Sequence, residues 1–290
     1  MTPESTGTVA FVITSHSGTE KYIPLVRDLL SEFWKDCPQA LFLTDGVSQS
    51  ADDVLSFPNL AWTDLFQAGI EELRRRWPQT THVFHMLEDH CPLRVCDSER
   101  LARIFAIAGD GAMDAVSFPT YAWPWNETDS TVFPDGLVRT WQRKEVIERG
   151  GETFAVVPRD FFRYFQVQPT LWRLDYLQVA CAHAATAGVN DAWSFEAMRW
   201  TGARQHYVSR YEWPTVHHGF LAQGRLNPPA IAYLDRKRAA APHRALIREA
   251  IGVESPLLFD SLQALIRTKG LIRRGFDGVK RRVAAIAPNR

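Results

Sequence analysis

An alternation constrains this chain more than any other feature: short apolar runs, each followed by a segment whose apolar residues recur at helical spacing. Residues 8–14 (Thr-Val-Ala-Phe-Val-Ile-Thr) form a continuous apolar run suited to a strand buried on both faces. Residues 19–34 then place Tyr22, Leu25, Val26, Leu29, Leu30 and Phe33 on one helical face, with Pro24 tolerable in the first turn. Residues 40–44 predict a second strand ending on Asp45-Gly46, and 60–62 a short third one. Residues 64–77 read as an amphipathic helix capped by Thr63 or Asp64, and 83–87 as a further strand. A helix over 101–108 and a strand over 114–118 follow. Such an order predicts an α/β fold with a mostly parallel central sheet, right-handed crossovers and flanking helices. No internal repeat is visible.

In such a sheet the ligand crevice lies at the carboxyl ends of the strands, so polar residues that end a strand are the candidates for chemistry. The run His82-Val83-Phe84-His85-Met86-Leu87 stops abruptly on Glu88-Asp89-His90. The competing reading is a strand that ends at the surface with solvated charges. After the first strand, Ser15-His16-Ser17-Gly18 has a single glycine. It is neither a dinucleotide-binding GxGxxG loop nor a P-loop, which argues against a hydride-transfer enzyme or a kinase. Together with Thr14 it still sets hydroxyls and amides near a helix N-terminus, a favourable place for a nucleotide or its phosphates. Asp45 can accept hydrogen bonds from a base or ribose; an ordinary Asp-Gly turn explains it equally well.

A chain of 290 residues with 46% hydrophobic positions can bury a full core. It lacks a run of about 18 uncharged apolar residues that could span a bilayer, and its start lacks the basic and apolar regions of a signal peptide. The expectation is therefore a soluble protein of the cytoplasm. Cys37, Cys91, Cys96 and Cys181 show no paired framework, which fits reduced thiols; Cys91 and Cys96 can ligate a metal but read better as packing groups. The formal charge of zero hides an asymmetry. Residues 235–290 carry 13 Lys and Arg against 5 Asp and Glu, leaving 20 against 28 in residues 1–234. Residues 1–234 are expected to form the α/β domain and 235–290 a basic helical extension. Such an extension can lie on an anionic membrane surface, making the protein peripheral at the inner face, or dock on the acidic body of its own chain. Nucleic acid is not an expected partner, because no recognition module or interleaved stacking aromatics accompany the basic residues.

Aromatic residues gather after the central motif. Trp123 and Trp125, in a Pro- and Asn-containing loop, offer indole faces suited to sugar rings, while Trp141 and Trp172 read as core. Residues 168–177 read as a Pro-containing turn and the start of a helix. Further on, Glu196 follows a plausible cap, Asp191 or Ser194, which places it in the first turn of a helix. Dipole complementarity explains an acid there, and so does a general base held between Trp193 and Phe195. Arg139, Arg143 and Lys144 are possible donors to a phosphate.

The series Val-Ile-Thr-Ser-His-Ser-Gly, Leu-Thr-Asp-Gly, Leu-Glu-Asp-His, Gln-Pro-Thr-Leu-Trp and Trp-Ser-Phe-Glu, in that order over residues 8–220, resembles bacterial glycosyltransferases of the GT-A fold. The resemblance implies a nucleotide-sugar donor bound by Thr14, Ser15, His16, Ser17, Asp45, Glu88 and Asp89. It implies a divalent metal, Mn²⁺ or Mg²⁺, where the family carries Asp-X-Asp; Glu88-Asp89-His90 departs from that pattern at both outer positions. Asp89, His90 and either His217 or His218 would be its ligands. Glu196, or Asp191 as second choice, would be the catalytic base, with Trp123, Trp125 and Trp193 against a saccharide or lipid-linked acceptor. The reaction implied is sugar transfer in surface polysaccharide synthesis. A nucleotidyltransferase that forms sugar nucleotides is the alternative, against which stands the missing Gly- and Lys/Arg-rich loop after the first strand. A non-catalytic carbohydrate- or nucleotide-binding protein is the third reading.

Overall fold

The structure, a computed structural model, describes residues 8–46, 51–120, 128–132, 138–142, 145–159, 161, 164–198, 200, 202–215, 221–222, 225–226, 234 and 241–251. Its centre is a nine-stranded sheet. The first half of the chain supplies β1 (Thr8–Ser15), β2 (Ala40–Thr44), β3 (Val54–Ser56) and β4 (Thr80–Leu87), all parallel, in the order β3-β2-β1-β4. Beyond β4 lie β10 (Thr170–Arg173), β5 (Ala115–Ser117), β11 (His206–Ser209), β9 (Glu152–Val156) and β8 (Val146–Arg149). There β5 and β11 pair in parallel and the remaining neighbours antiparallel. Strands β6 (Thr128–Val132) and β7 (Val138–Gln142) form a separate hairpin. The expected α/β class holds, with a fully parallel half and a mixed half.

Both faces of the sheet are covered, which is why its central strands read as unbroken apolar runs. On one face Phe11, Ile13, Phe84 and Met86 pack against α1 (Ile23–Phe33) and α3 (Ser98–Ile107). On the other, Ala10, Val12 and Val83 pack against α2 (Trp62–Arg76) and α4 (Leu174–Thr186). Each large apolar side chain so buried contributes about 1.5–3 kcal/mol relative to exposure.

Four boundaries differ from the periodicity. The third strand is 54–56, not 60–62: the amide of Phe42 donates to Asp53 O at 2.8 Å, which draws 54–56 onto the edge of β2, while Leu60 stays exposed. Helix α2 begins at Trp62 after Ala61, and neither Thr63 nor Asp64 caps it. The Thr63 hydroxyl instead donates to Val189 O at 2.7 Å, tying the helix start to the loop after α4. Helix α3 begins a turn early because Asp97 Oδ1 accepts from the amide of Arg100 at 3.0 Å. Residues 170–173 are strand, not helix, since they bridge β4 and β5 by cross-strand pairing that overrides local propensity.

At the start of the basic extension, α6 (Arg244–Ile251) lies against the body. Ile247 is buried in the core on the α1 side, and His243 Nε2 sits 2.7 Å from Asp28 Oδ2 of α1. Residues 252–290 lie outside the described residues.

Candidate functional site

The chain leaves β1 toward β2 and later returns to the opposite side of β1 as β4. The point between the carboxyl ends of β1 and β4 is therefore where strand order reverses, and a crevice opens there in sheets of this kind. Thr14 pairs with Leu87 there, and Ser15 and Glu88 follow at the two strand ends. The loop after β1 folds tightly over this edge. Thr19 N and Glu20 N donate to His16 O at 2.8 and 2.9 Å, and Gly18 N donates to His16 Nδ1 at 3.0 Å. Two carboxylates from neighbouring strand ends fasten the loop. Asp45 Oδ1, at the end of β2, accepts from the amide of Ser17 at 2.5 Å, and Glu88 Oε1, at the end of β4, accepts from the Thr19 hydroxyl at 2.5 Å. Ser15 Oγ lies 3.2 Å from the same hydroxyl.

Thr14, Ser15, His16, Ser17, Asp45, Glu88 and Asp89 thus meet at one edge, with His16 and Ser17 exposed and Thr14 and Ser15 buried. Thr19 and Glu20 belong with them and were missed. Thr19 is legible only through its position after the turn. Glu20 needs the fold: its carboxylate lies against Gly46, the glycine after Asp45, and Glu20 Oε2 is 3.5 Å from the Thr44 hydroxyl at the end of β2.

Glu88, Asp89 and His90 form one tight turn directly after β4. Trp213 Nε1 donates to His90 O at 2.7 Å and the Thr215 hydroxyl donates to Cys91 O at 2.7 Å, so the segment after β11 grips the turn from behind. Burial pushes the Glu88 carboxyl well above its usual range; the neighbouring Asp89 adds to the rise and the Thr19 hydroxyl opposes it. Desolvation raises Asp89 as well, although its side chain is 27% exposed. One Asp89 oxygen, Oδ1, is sealed from solvent with no hydrogen-bond partner among the described residues, and His90 Nε2 stands 3.7 Å away. A lone pair in that position suits a divalent cation. No group of three His, Cys, Asp or Glu side chains converges on a metal position among the described residues. His217 and His218 lie outside them.

Helix α5 (Ala192–Glu196) reaches the same edge by another route. The amide of Trp62 donates to Asn190 O at 3.1 Å, and the Thr63 hydroxyl to Val189 O, so the loop entering α5 is pinned to the N-terminus of α2. Asp191 is exposed and caps α5, accepting from Ser194 N at 2.8 Å and from the Ser194 hydroxyl at 2.6 Å. Glu196 departs from the expectation of a first-turn residue. It closes the five-residue helix, is 6% exposed, and its Oε1 accepts from the amide of Val167 at 3.1 Å. A short helix that ends on Glu196 leaves the first turn to Ala192-Trp193-Ser194.

Among the aromatics, Trp172 and Trp213 are core. Trp123 and Trp125 lie outside the described residues, as do Arg143 and Lys144; for Trp193 and Arg139 the backbone alone is described. Among the tryptophans whose side chains are described, Trp62 stands at the crevice. Its Nε1 donates to Thr14 Oγ1 at 3.4 Å, and it was missed because residues 60–62 read as strand. Cys91 and Cys96 are buried, and desolvation holds both thiols far above their usual range, as packing groups.

No protein-family model matches this chain, and no curated protein matches it. Among solved structures it is similar to a 4-diphosphocytidyl-2C-methyl-D-erythritol synthase, at 15% identity and a TM-score of 0.37, over 68% of this chain and 93% of that one.

Proposed function

We propose that the protein is a nucleotide-sugar-dependent glycosyltransferase that carries a sugar to a saccharide or lipid-linked acceptor, in bacterial surface polysaccharide synthesis. The observation that carries this reading is the meeting, at the carboxyl edge of a parallel sheet, of the 14–20 loop, Asp45 and the Glu88-Asp89-His90 turn. Exposed His16 and Ser17 and the β2-end Asp45 suit the nucleoside, and the turn after β4 suits its diphosphate. Bond cleavage at the anomeric carbon sends the electron pair to that diphosphate, and the acceptor oxygen takes its place while a carboxylate takes the acceptor's proton. A divalent cation held by Asp89 and His90, with His217 or His218, would neutralise the charge that develops on the leaving group. Of the two candidate bases, Asp191 is the one an acceptor can reach, whereas Glu196 holds the Val167 amide.

That burial of Glu196 favours a second reading, formation of the sugar nucleotide itself. A sugar phosphate is already ionised and attacks a nucleoside triphosphate without a protein base. The two readings separate by turnover. UDP- and GDP-hexoses with a panel of saccharide acceptors, in Mn²⁺ and in EDTA, should yield a glycosylated acceptor and free nucleoside diphosphate. Pyrophosphate release from nucleoside triphosphate plus sugar 1-phosphate, with no transfer from nucleotide sugars, would establish the second reading. Indifference to every nucleotide in calorimetry would overturn both and leave a non-catalytic binding protein.

A further inference from the structure

Trp62 opens α2 at the carboxyl edge of the sheet, on the α2 face of the reversal point, while Thr19 and Glu88 close the other face. Its indole is held from several sides. Phe66 lies 5.2 Å away between ring centroids, Phe195 5.4 Å edge-on and His85 6.1 Å edge-on. The indole N–H is spent on Thr14 Oγ1, whose own oxygen lies 3.0 Å from Nε2 of the buried His85. An indole N–H only donates, so Thr14 Oγ1 accepts from Trp62, and burial keeps the neighbouring His85 neutral. Trp62 is therefore fixed at both its ring and its polar handle, yet it is only partly buried. With its N–H spent, its partly exposed side chain can offer a ligand only apolar, aromatic contact.

We infer that Trp62 is the platform on which a pyranose ring of the acceptor stacks, beside the exposed carboxylate of Asp191. The C–H face of a sugar packs on an indole, and hydroxyls along the ring edge donate to a carboxylate. Asp191 is brought there by the chain itself, since the Trp62 amide is bonded to Asn190 O, one residue earlier. Asp191, next in the chain to a residue bonded to the Trp62 backbone, takes hydroxyl donors and repels phosphate, which favours the acceptor over the diphosphate of the donor. The inference rests on the glycosyl-transfer reading for its meaning, but it can be tested by itself.

Saturation-transfer NMR on the full chain with methyl α- and β-hexosides, and separately with UDP and GDP, reads the two ligand classes independently. The wild-type protein should bind at least one hexoside, and W62A should weaken that binding roughly tenfold or more while leaving nucleotide affinity within twofold. W62F, which keeps a ring but loses the bond to Thr14, should fall between them. Labelling with 5-fluorotryptophan guards against misfolding of W62A: the resonance removed by W62F should shift when hexoside is added to the otherwise unaltered protein. Hexoside binding unaffected by W62A, no hexoside bound at all, or a loss confined to the nucleotides would each overturn the platform. Hexoside held on Trp62 by a protein that binds no nucleotide would sink the donor reading and leave the platform standing.

Discussion

The raised Glu88 carboxyl and the depressed imidazoles of His85 and His206 enter the folding equilibrium with opposite signs. His85 and His206 are fully buried, and desolvation lowers each to about 3. Below the ordinary imidazole value the unfolded chain takes up protons that these two refuse, so stability falls as pH drops from 6.5 toward 3. Glu88 does the reverse. Its folded form keeps a proton that the unfolded chain has lost, so its contribution is full below pH 4.5 and is lost as pH rises through about 7. Thermal melts in EDTA should therefore show a maximum on the slightly acidic side of neutrality. E88Q should flatten the alkaline decline, and an unchanged slope would mean that Glu88 is solvated. At Glu196, Ala should cost about 1–3 kcal/mol by orphaning the Val167 amide, while Gln, which keeps an acceptor, should cost little. In turnover E196Q should stay active and D191N should not; the opposite pattern would return the base role to Glu196.

Elements explain how far the sequence could be read. Helices α1 and α2 and strands β1, β2 and β4 were legible because double-sided burial and one-sided amphipathicity write different periods into the chain. Strand β10 was not, because Thr170-Leu171-Trp172 is strand only by lying between β4 and β5, and no local period records that. The strand ends Asp45 and Glu88 were legible for the same reason as their strands. Thr19, Glu20 and Trp62 were not, since each acquires its place from a partner 24 or more residues away. Gly69 records such a partner too. A Cβ there would stand 2.2 Å from Leu43 Cδ1, which sets how closely α2 approaches β2. G69A should cost about 1–3 kcal/mol through overpacking, despite its better helix propensity, and a melt unchanged or raised would show that Leu43 moves aside freely.

On the scale of the whole molecule, the charge split between residues 1–234 and 235–290 reads as an α/β body and a basic helical extension that lies on a membrane or docks on the body. The described start of that extension docks on the body. Ile247 is 4% exposed against the α1 side of the core, and His243 reaches Asp28 on α1. Burial of an isoleucine contributes about 1.5–3 kcal/mol, and each kcal/mol moves the melting temperature of a body this size by about 2–4 °C. Truncation after residue 240 should therefore lower the melting temperature by several degrees, whereas truncation after residue 251 should leave it within about 2 °C. The remaining arm keeps most of the basic surplus. Vesicle flotation with anionic and neutral lipid should show full-length protein held by the anionic vesicles at low salt and released near 0.5 M, with the residue-251 truncation failing to float under either condition. Equal flotation of the two proteins would place any membrane contact on the body and remove the arm from that role.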